Sequence, residues 1–122
     1  MSGKGTVNKA IIIGRLGADP KIAFTGSGTT VASFSVATNR TWKGKDGNQS
    51  ERTDWINIKV FGPIAEFVSK HLKKGSLVYV SGRIETRSYD QNGVKKYITE
   101  VNADTIELLG SKQNGEQDDL PI

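Results

Sequence analysis

Cysteine is absent from the 122-residue chain, and histidine occurs once, as His71. The absence of cysteine excludes disulfide scaffolds, thiolate zinc sites and cysteine nucleophiles, and it fits a reducing compartment. A lone histidine on the apolar stripe of a predicted helix indicates a structural residue rather than a catalytic base. The carboxylates show no metal-ligand spacing, and the glycine-rich runs lack the Gly-Lys-Ser/Thr ending of a phosphate loop. The sequence therefore predicts a protein that is not an enzyme and uses no cofactor or metal.

Long apolar runs are also absent. The run from Ala10 to Ile13 is too short for a signal-peptide core of about 7 residues, and no segment approaches the roughly 20 apolar residues of a membrane span. We therefore expect a cytoplasmic protein without a membrane partner. Hydrophobic residues make up only 35% of the chain and aromatic residues 7%, against 14 glycines. This composition favours short strands and tight turns over a helical bundle.

Charge is distributed unevenly along the chain. Residues 1–110 carry 16 basic and 10 acidic side chains, a net charge of +6, whereas residues 111–122 carry one basic and three acidic side chains, a net charge of −2. A basic domain favours a polyanionic partner. Residues 111–117 contain no apolar side chain, so they cannot offset their ordering entropy by burial. We expect a folded domain over 1–110 and a disordered acidic tail over 111–122, whose tip consists of Asp118, Asp119, Leu120, Pro121 and Ile122.

Hydrophobic periodicity locates the secondary structure. Period-two alternation predicts strands over 29–38 and 52–61, a β-rich apolar stretch predicts one over 7–16, and two further strands are predicted over 77–89 and 94–109, on either side of a turn. A helical period over 63–74 begins at Pro63 and ends at Gly75, residues suited to those positions. A polar loop is expected over 39–50, and Asn92-Gly93 predicts a tight hairpin.

The order of three strands, one helix and two strands limits the fold. If all strands are antiparallel, the helix between the third and fourth strands indicates an all-β, five-stranded Greek-key barrel of the OB type. Gly14 within the first strand suits the bend that closure of such a barrel requires. An SH3-like barrel is the alternative, but it has no helix at that place.

The third strand has an unusual outer face. Ile56, Ile58 and Val60 alternate with Trp55, Lys59 and Phe61, so one face is aliphatic and the other carries two rings beside a cation. Such a face could stack bases next to a phosphate anchor. Alternatively, the rings pack against a helix, a second sheet or another subunit.

Aromatic and basic residues alternate in three places, over 40–45, 55–61 and 87–97. Binding along an extended single strand needs this interleaving, whereas a reader of duplex grooves would need a basic recognition helix. The candidates for base stacking are Trp42, Trp55, Phe61 and Tyr89. The candidates for phosphate contact are Arg15, Arg40, Lys43, Lys45, Lys59, Arg87, Lys95 and Lys96.

Segments that correspond to three motifs resemble one protein family. Residues 7–20 resemble the opening motif of the bacterial-type single-stranded DNA-binding protein (SSB) family, and residues 53–62, 72–76 and 78–83 resemble its central motif. Residues 118–122 are similar to its acidic C-terminal peptide. The segments occur in the family's order and spacing, and the resemblance covers residues 7–109 and the tip.

The resemblance implies an OB-fold homotetramer that binds and protects single-stranded DNA, without sequence preference, in replication, recombination and repair. It also implies a nucleoid-associated protein that recruits replication and repair proteins through the C-terminal tip. The chain departs from the family at Tyr89, where relatives often have tryptophan, and at Ile122, where an aromatic residue is expected. Its linker of about residues 111–117 is short, and the sequence leaves a chromosomal, plasmid or phage origin open.

Two other functions remain open from sequence. One is a primosome-type OB assembly module that acts mainly through protein contacts and uses the same aromatic residues between subunits. The other is an OB-fold protein that binds tRNA or oligosaccharide. Equal affinity for RNA and DNA of the same length would favour the latter.

Deletion of residues 118–122 separates the DNA-binding function from an assembly function. We expect the affinity for an oligo(dT) to stay unchanged or to rise, because the acidic tip competes with DNA for the basic domain. Binding to a partner protein should be lost. Fluorescence titration and co-precipitation measure the two effects, with a scrambled tip of equal composition as the control. A fall in DNA affinity would contradict the assignment of the tip.

Overall fold

A computed structural model describes residues 5–111 of the chain, which form six strands and one helix. The remainder of the predicted tail, including the acidic tip, lies outside the described residues. The elements are β1 (Ala10–Leu16), β2 (Lys21–Phe24), β3 (Thr30–Lys43), β4 (Gln49–Phe61), α1 (Pro63–His71), β5 (Leu77–Gln91) and β6 (Val94–Gly110).

Five of the strands close into a barrel. They follow the order β1, β5, β6, β4, β3, and a second pairing of β1 with β3 completes the circle. The helix lies between β4 and β5, the third and fourth strands of the barrel. This arrangement confirms the predicted OB-type barrel. The expectation that every strand pair is antiparallel is wrong, because β4 and β6 run parallel where Ile58 lies opposite Val101. The strands β3 and β5 are both antiparallel to β1, and β4 and β6 are antiparallel to β3 and β5 respectively, so β4 and β6 run in the same direction.

The short strand β2 was absent from the sequence prediction. β1 pairs with β3 through Arg15–Ala37 and Leu16–Val36, and β2 then continues along the same edge of β3 from Lys21–Ser33 onward. Residues 17–20 form the turn between them. A four-residue strand between two turns is too short for periodicity to reveal.

The polar loop expected over 39–50 is mostly strand. The β3–β4 ladder continues to the pair Lys43–Gln49, which leaves a turn of only five residues, 44–48. Asp46 shapes this turn by accepting hydrogen bonds from the backbone N–H (3.0 Å) and Nδ2 (3.1 Å) of Asn48. These bonds hold the pKa of Asp46 below its usual value. The outer part of the β3–β4 hairpin, residues 39–53, which we call the β3–β4 arm, carries mostly polar side chains on both faces. Alternation of apolar and polar residues therefore does not reveal it as strand, whereas backbone hydrogen bonds form regardless of side-chain polarity.

The core of the barrel is almost entirely aliphatic. Phe34 is the only aromatic residue among the buried hydrophobic side chains of residues 5–111. Helix α1 closes one end with Ala65 and Val68, and Leu72 follows it into the core. His71 is exposed, with its ring 4.8 Å from that of Phe67, so it is not a core residue. No helix in this part of the chain is long and apolar enough to cross a membrane.

Two glycines permit the close strand crossings of the barrel. A Cβ at Gly14 would lie 2.6 Å from Val36 Cγ1 and closer still to the carbonyl oxygen of Ala37. A Cβ at Gly82 would lie 2.6 Å from Ala103 Cα and closer still to the carbonyl oxygen of Asn102. Because most of these atoms belong to the backbone, a side chain at either position would force strands apart.

Gly82→Ala should therefore destabilise the domain by about 1–3 kcal/mol, the usual cost of overpacking. Urea denaturation measures the change in the free energy of unfolding. Gly26→Ala is the matched control, because nothing lies within 4 Å of its Cβ position. An unchanged midpoint for Gly82→Ala would contradict the crossing constraint.

Candidate nucleic-acid interface

The outer face of β4 carries the rings identified in the sequence. Ile58 and Val60 are buried in the core, and the alternating residues Trp55 and Phe61 point outward with 59% and 41% of their surfaces exposed. The Nζ of Lys59 lies 5.6 Å from the centroid of the Phe61 ring. The described domain leaves both rings open to solvent, which a stacking surface requires.

Neighbouring strands widen this face. In the sheet register, Lys59 lies beside Ser33 of β3 and Ser33 beside Lys21 of β2, so all three share one face. Small residues, Ser33, Ser35 and Ala37, lie along β3 next to the row of β4 side chains. The surface is therefore shallow, with a lysine on each side of its centre. We call the outward residues of β4, β3 and β2 the barrel face.

The β5–β6 hairpin forms a wall beside the barrel face. Arg87, Ile98 and Glu100 line a groove of about 430 Å³ together with Trp55. The Nε of Arg87 donates to Glu100 Oε2 at 3.1 Å, and Glu100 is almost fully buried. The carboxylate thus fixes the guanidinium at the groove edge and neutralises part of its charge.

The outer part of this hairpin divides the predicted residues between two faces. Tyr89 lies opposite Lys96, and Arg87 lies opposite Ile98, so Tyr89 and Lys96 share the face of Arg87. Lys95 lies opposite Asp90 on the reverse face. Consecutive strand residues point to opposite sides, so Lys95 and Lys96, each predicted to contact phosphate, lie on opposite faces of the hairpin.

The β3–β4 arm separates Trp42 from Trp55. In the unbroken register of β3, Trp42 and Arg40 share the parity of Val36, whereas Trp55 lies opposite Ala37 on the other face. Trp42 is 44% exposed, and the Arg40 guanidinium carbon lies 5.2 Å from its ring centroid. Trp42 and Trp55 therefore lie on opposite faces of the β3–β4 hairpin.

The remaining candidate cations differ in their surroundings. Lys43 is exposed at the end of β3, and Lys45 is exposed in the turn that follows. Arg15 is partly buried, and its Nη1 donates to the carbonyl oxygen of Gly75 at 2.6 Å. Arg15 thus joins β1 to the segment after α1, a structural contact that the sequence did not indicate. Residues 118–122, the predicted partner-binding tip, lie outside the described residues.

Three exposed residues were missed by the sequence reasoning. Lys21 lies on the barrel face, and Arg52 lies directly opposite Arg40 on the β3–β4 arm. Tyr97, 68% exposed, shares the reverse face of the β5–β6 hairpin with Lys95. The missed signal was the continuation of both hairpins beyond the barrel, whereas β2, which carries Lys21, is too short for periodicity to reveal.

The comparisons with known proteins agree with this geometry. The family model of the single-strand binding protein family matches residues 7–109. The chain belongs to the single-strand binding protein family. A structure titled "Plasmodium falciparum SSB complex with ssDNA" superposes with a TM-score of 0.77 at 35% sequence identity, over 88% of this chain and 97% of that one.

Bacterial relatives in this family cover most of the chain. It is 46% identical to single-stranded DNA-binding protein 1 of Xylella fastidiosa (strain 9a5c), over 89% of this chain and 82% of the relative. It is 44% identical to single-stranded DNA-binding protein 1 of Chlorobaculum tepidum, over 89% of this chain and 68% of the relative. It is 41% identical to the single-stranded DNA-binding protein of Neisseria meningitidis serogroup A, over 88% of this chain but 62% of the relative.

Trp55→Ala tests the barrel face. If Trp55 stacks a base, we expect affinity for oligo(dT) to fall about 5- to 150-fold, which corresponds to about 1–3 kcal/mol per stacked base. The loss should be similar for oligo(dT) and oligo(dC), because stacking does not read base edges. Fluorescence anisotropy of labelled oligonucleotides measures both affinities.

Phe24→Ala provides a matched control for Trp55→Ala. Phe24 is 69% exposed, but it lies opposite Thr30, on the face of β2 that the barrel face does not include. We expect its DNA affinity to equal that of the unchanged protein. Equal losses in the two variants would mean that the barrel face has no special role.

Proposed function

We propose that this chain binds single-stranded DNA without sequence preference and protects it, and that it does so without chemical catalysis. The observation that carries the proposal is the barrel face, where two exposed rings flank a lysine on one strand of a closed barrel. Its membership of the single-strand binding protein family and its likeness to a structure titled as an ssDNA complex support the proposal.

The binding mechanism divides the nucleotide between two kinds of side chain. The rings of Trp55 and Phe61 stack bases, which every base permits because each has a π-face. Lys59 and Lys21 neutralise phosphates and release counterions. The floor of small side chains lets the strand lie close to the sheet. Stacked bases are unavailable for pairing, and the bound strand is shielded from enzymes that act on it.

The positions of the other candidate residues imply a curved path for the DNA. Trp55 and Phe61 lie six residues apart on β4, about 20 Å along an extended strand. Trp42 lies on the reverse face of the β3–β4 arm, and Tyr89 lies on the β5–β6 hairpin. A strand that uses all four rings must therefore pass around the domain rather than cross one flat surface.

Self-association belongs to the same proposal. Ile11 and Ile13 project from the outer side of β1 with 60% and 37% of their surfaces exposed. Exposed apolar side chains at this density favour a protein contact, and we assign this strand to the contact between subunits of a homotetramer. The surface lies outside the barrel face, so assembly and DNA binding do not compete.

The wider role follows from family membership. We propose that the chain acts in DNA replication, recombination and repair, in association with the nucleoid in the cytoplasm. The tip, residues 118–122, recruits replication and repair proteins through its acidic side chains and its terminal isoleucine. Its net negative charge suits partners with basic surfaces.

Salt dependence tests the electrostatic part of the proposal. Binding of poly(dT) should quench tryptophan fluorescence to saturation, and log affinity should fall linearly with log salt concentration, by about 0.7 per phosphate contacted. Lys59→Gln should reduce the slope by about 0.7, since it removes one such contact. Lys70→Gln is the control, because Lys70 is an exposed lysine on α1, outside the barrel face, and its loss should leave the slope unchanged. Absence of quenching at low salt would refute the proposed function.

A further inference from the structure

Gly17 contacts the indole of Trp55 across the turn between β1 and β2. A Cβ built at Gly17 would lie 2.8 Å from Cη2 and 3.4 Å from Cε3 of Trp55, and closer still to Cζ3. All three atoms belong to the six-membered part of the indole. Since real Cβ contacts under 3.0 Å essentially never occur, the indole can occupy this position only if residue 17 has no side chain.

The turn that carries Gly17 is held from three directions. The Gly17 N–H donates to the carbonyl oxygen of Ser35 at 3.2 Å, which fixes the turn to β3. Asp19 Oδ1 accepts a hydrogen bond from the backbone N–H of Lys74 at 2.8 Å, which fixes the turn to the segment that follows α1. Leu16 exchanges backbone hydrogen bonds of 3.0 and 2.9 Å with the segment 75–76. The turn therefore cannot retreat, and an added side chain at residue 17 must displace the indole.

The fixed turn restricts Trp55 while leaving most of its surface free. The indole is 59% exposed and lines the groove with Arg87 and Ile98. An exposed side chain that is already held in one orientation loses less conformational freedom when a ligand binds.

We propose that Gly17 is a positioning residue for base stacking by Trp55, a role that rests on the proposed function. Its missing side chain lets the indole lie against a fixed turn in the orientation that receives a base. Asp19 contributes by holding the turn to the backbone of Lys74. Gly17 itself need not contact the DNA.

Gly17 differs from the glycines that close the barrel. All three glycines lack a positive φ, so alanine fits the backbone conformation of Gly17, and the difference lies in what surrounds the Cβ position. The atoms near its Cβ position are the outer end of an exposed side chain, whereas Gly14 and Gly82 face mostly backbone atoms. Gly17→Ala should therefore displace a ring without unfolding the domain.

The test uses a Trp42→Phe parent, in which Trp55 is the sole tryptophan, because the chain contains two. We expect Gly17→Ala to lower oligo(dT) affinity at least threefold and to change the emission maximum and acrylamide quenching of free Trp55. The urea midpoint should stay that of the parent. Gly26→Ala, another turn glycine with open space at its Cβ position, should change none of these quantities.

A double-mutant cycle separates positioning from direct contact. If Gly17 acts through the indole, Gly17→Ala should cause no further loss of affinity in a Trp55→Ala background. An equal loss in both backgrounds would overturn the inference, because Gly17 would then act on the DNA directly. A Gly17→Ala variant that no longer folds would also overturn it, since the residue would then belong to the barrel's structural core.

The outcomes distinguish this inference from the proposed function. If Trp55→Ala weakens binding and Gly17→Ala does not, only the positioning role is wrong. If the unchanged protein shows no salt-dependent binding of oligo(dT), the proposed function itself is wrong. Asp19→Ala, which removes the acceptor of the Lys74 N–H, adds a second readout. Removal of an acidic charge near the groove would by itself strengthen DNA binding, whereas a loosened turn should weaken it, and stronger binding would count against the role of Asp19.

Discussion

Closure of the barrel by β1 is the constraint on which the other features depend. This strand pairs with β5 along most of its length and transfers to β3 at Arg15. At the contact with β3 the strands cross more closely than a side chain permits, which Gly14 allows, and Gly82 allows the same close approach of β5 to β6. Because closure leaves few unpaired strand edges, a small aliphatic core suffices to hold long strands in a single register.

The fixed register of the sheet gives the alternating outward side chains of β4 a defined arrangement on one surface. Since β4 is paired with β3 on one side and closed against β6 on the other, its outward residues have fixed spacing. The same closure places the turn after β1 against Trp55. The proposed stacking surface and the turn that supports Trp55 are therefore products of one topological feature. A stacking residue that is oriented before DNA arrives needs less ordering on binding.

The predictions from sequence succeeded where a residue's environment is set by its own strand. Alternation placed Trp55 and Phe61 on the outer face of β4 because the barrel buries the other face. The same reasoning missed β2, and it did not indicate that the candidate phosphate contacts Lys95 and Lys96 point to opposite faces. Periodicity also did not indicate that the guanidinium of Arg15, a predicted phosphate contact, donates to the Gly75 carbonyl, because a long-range contact has no local sequence signature.

The sequence by itself determined the order of the five barrel strands and the helix, the aliphatic core, the basic domain and the outward rings of β4. These features depend on local periodicity and composition, which are properties of neighbouring residues. Only the tertiary structure decided that Trp42 and Trp55 lie on different faces of the β3–β4 hairpin and that Lys21 lies on the same face of the sheet as Lys59. It alone also placed Gly17 beside the indole of Trp55. The reason is physical: strand pairing brings together residues that are far apart in the chain, and register, which emerges only on folding, decides which of them meet.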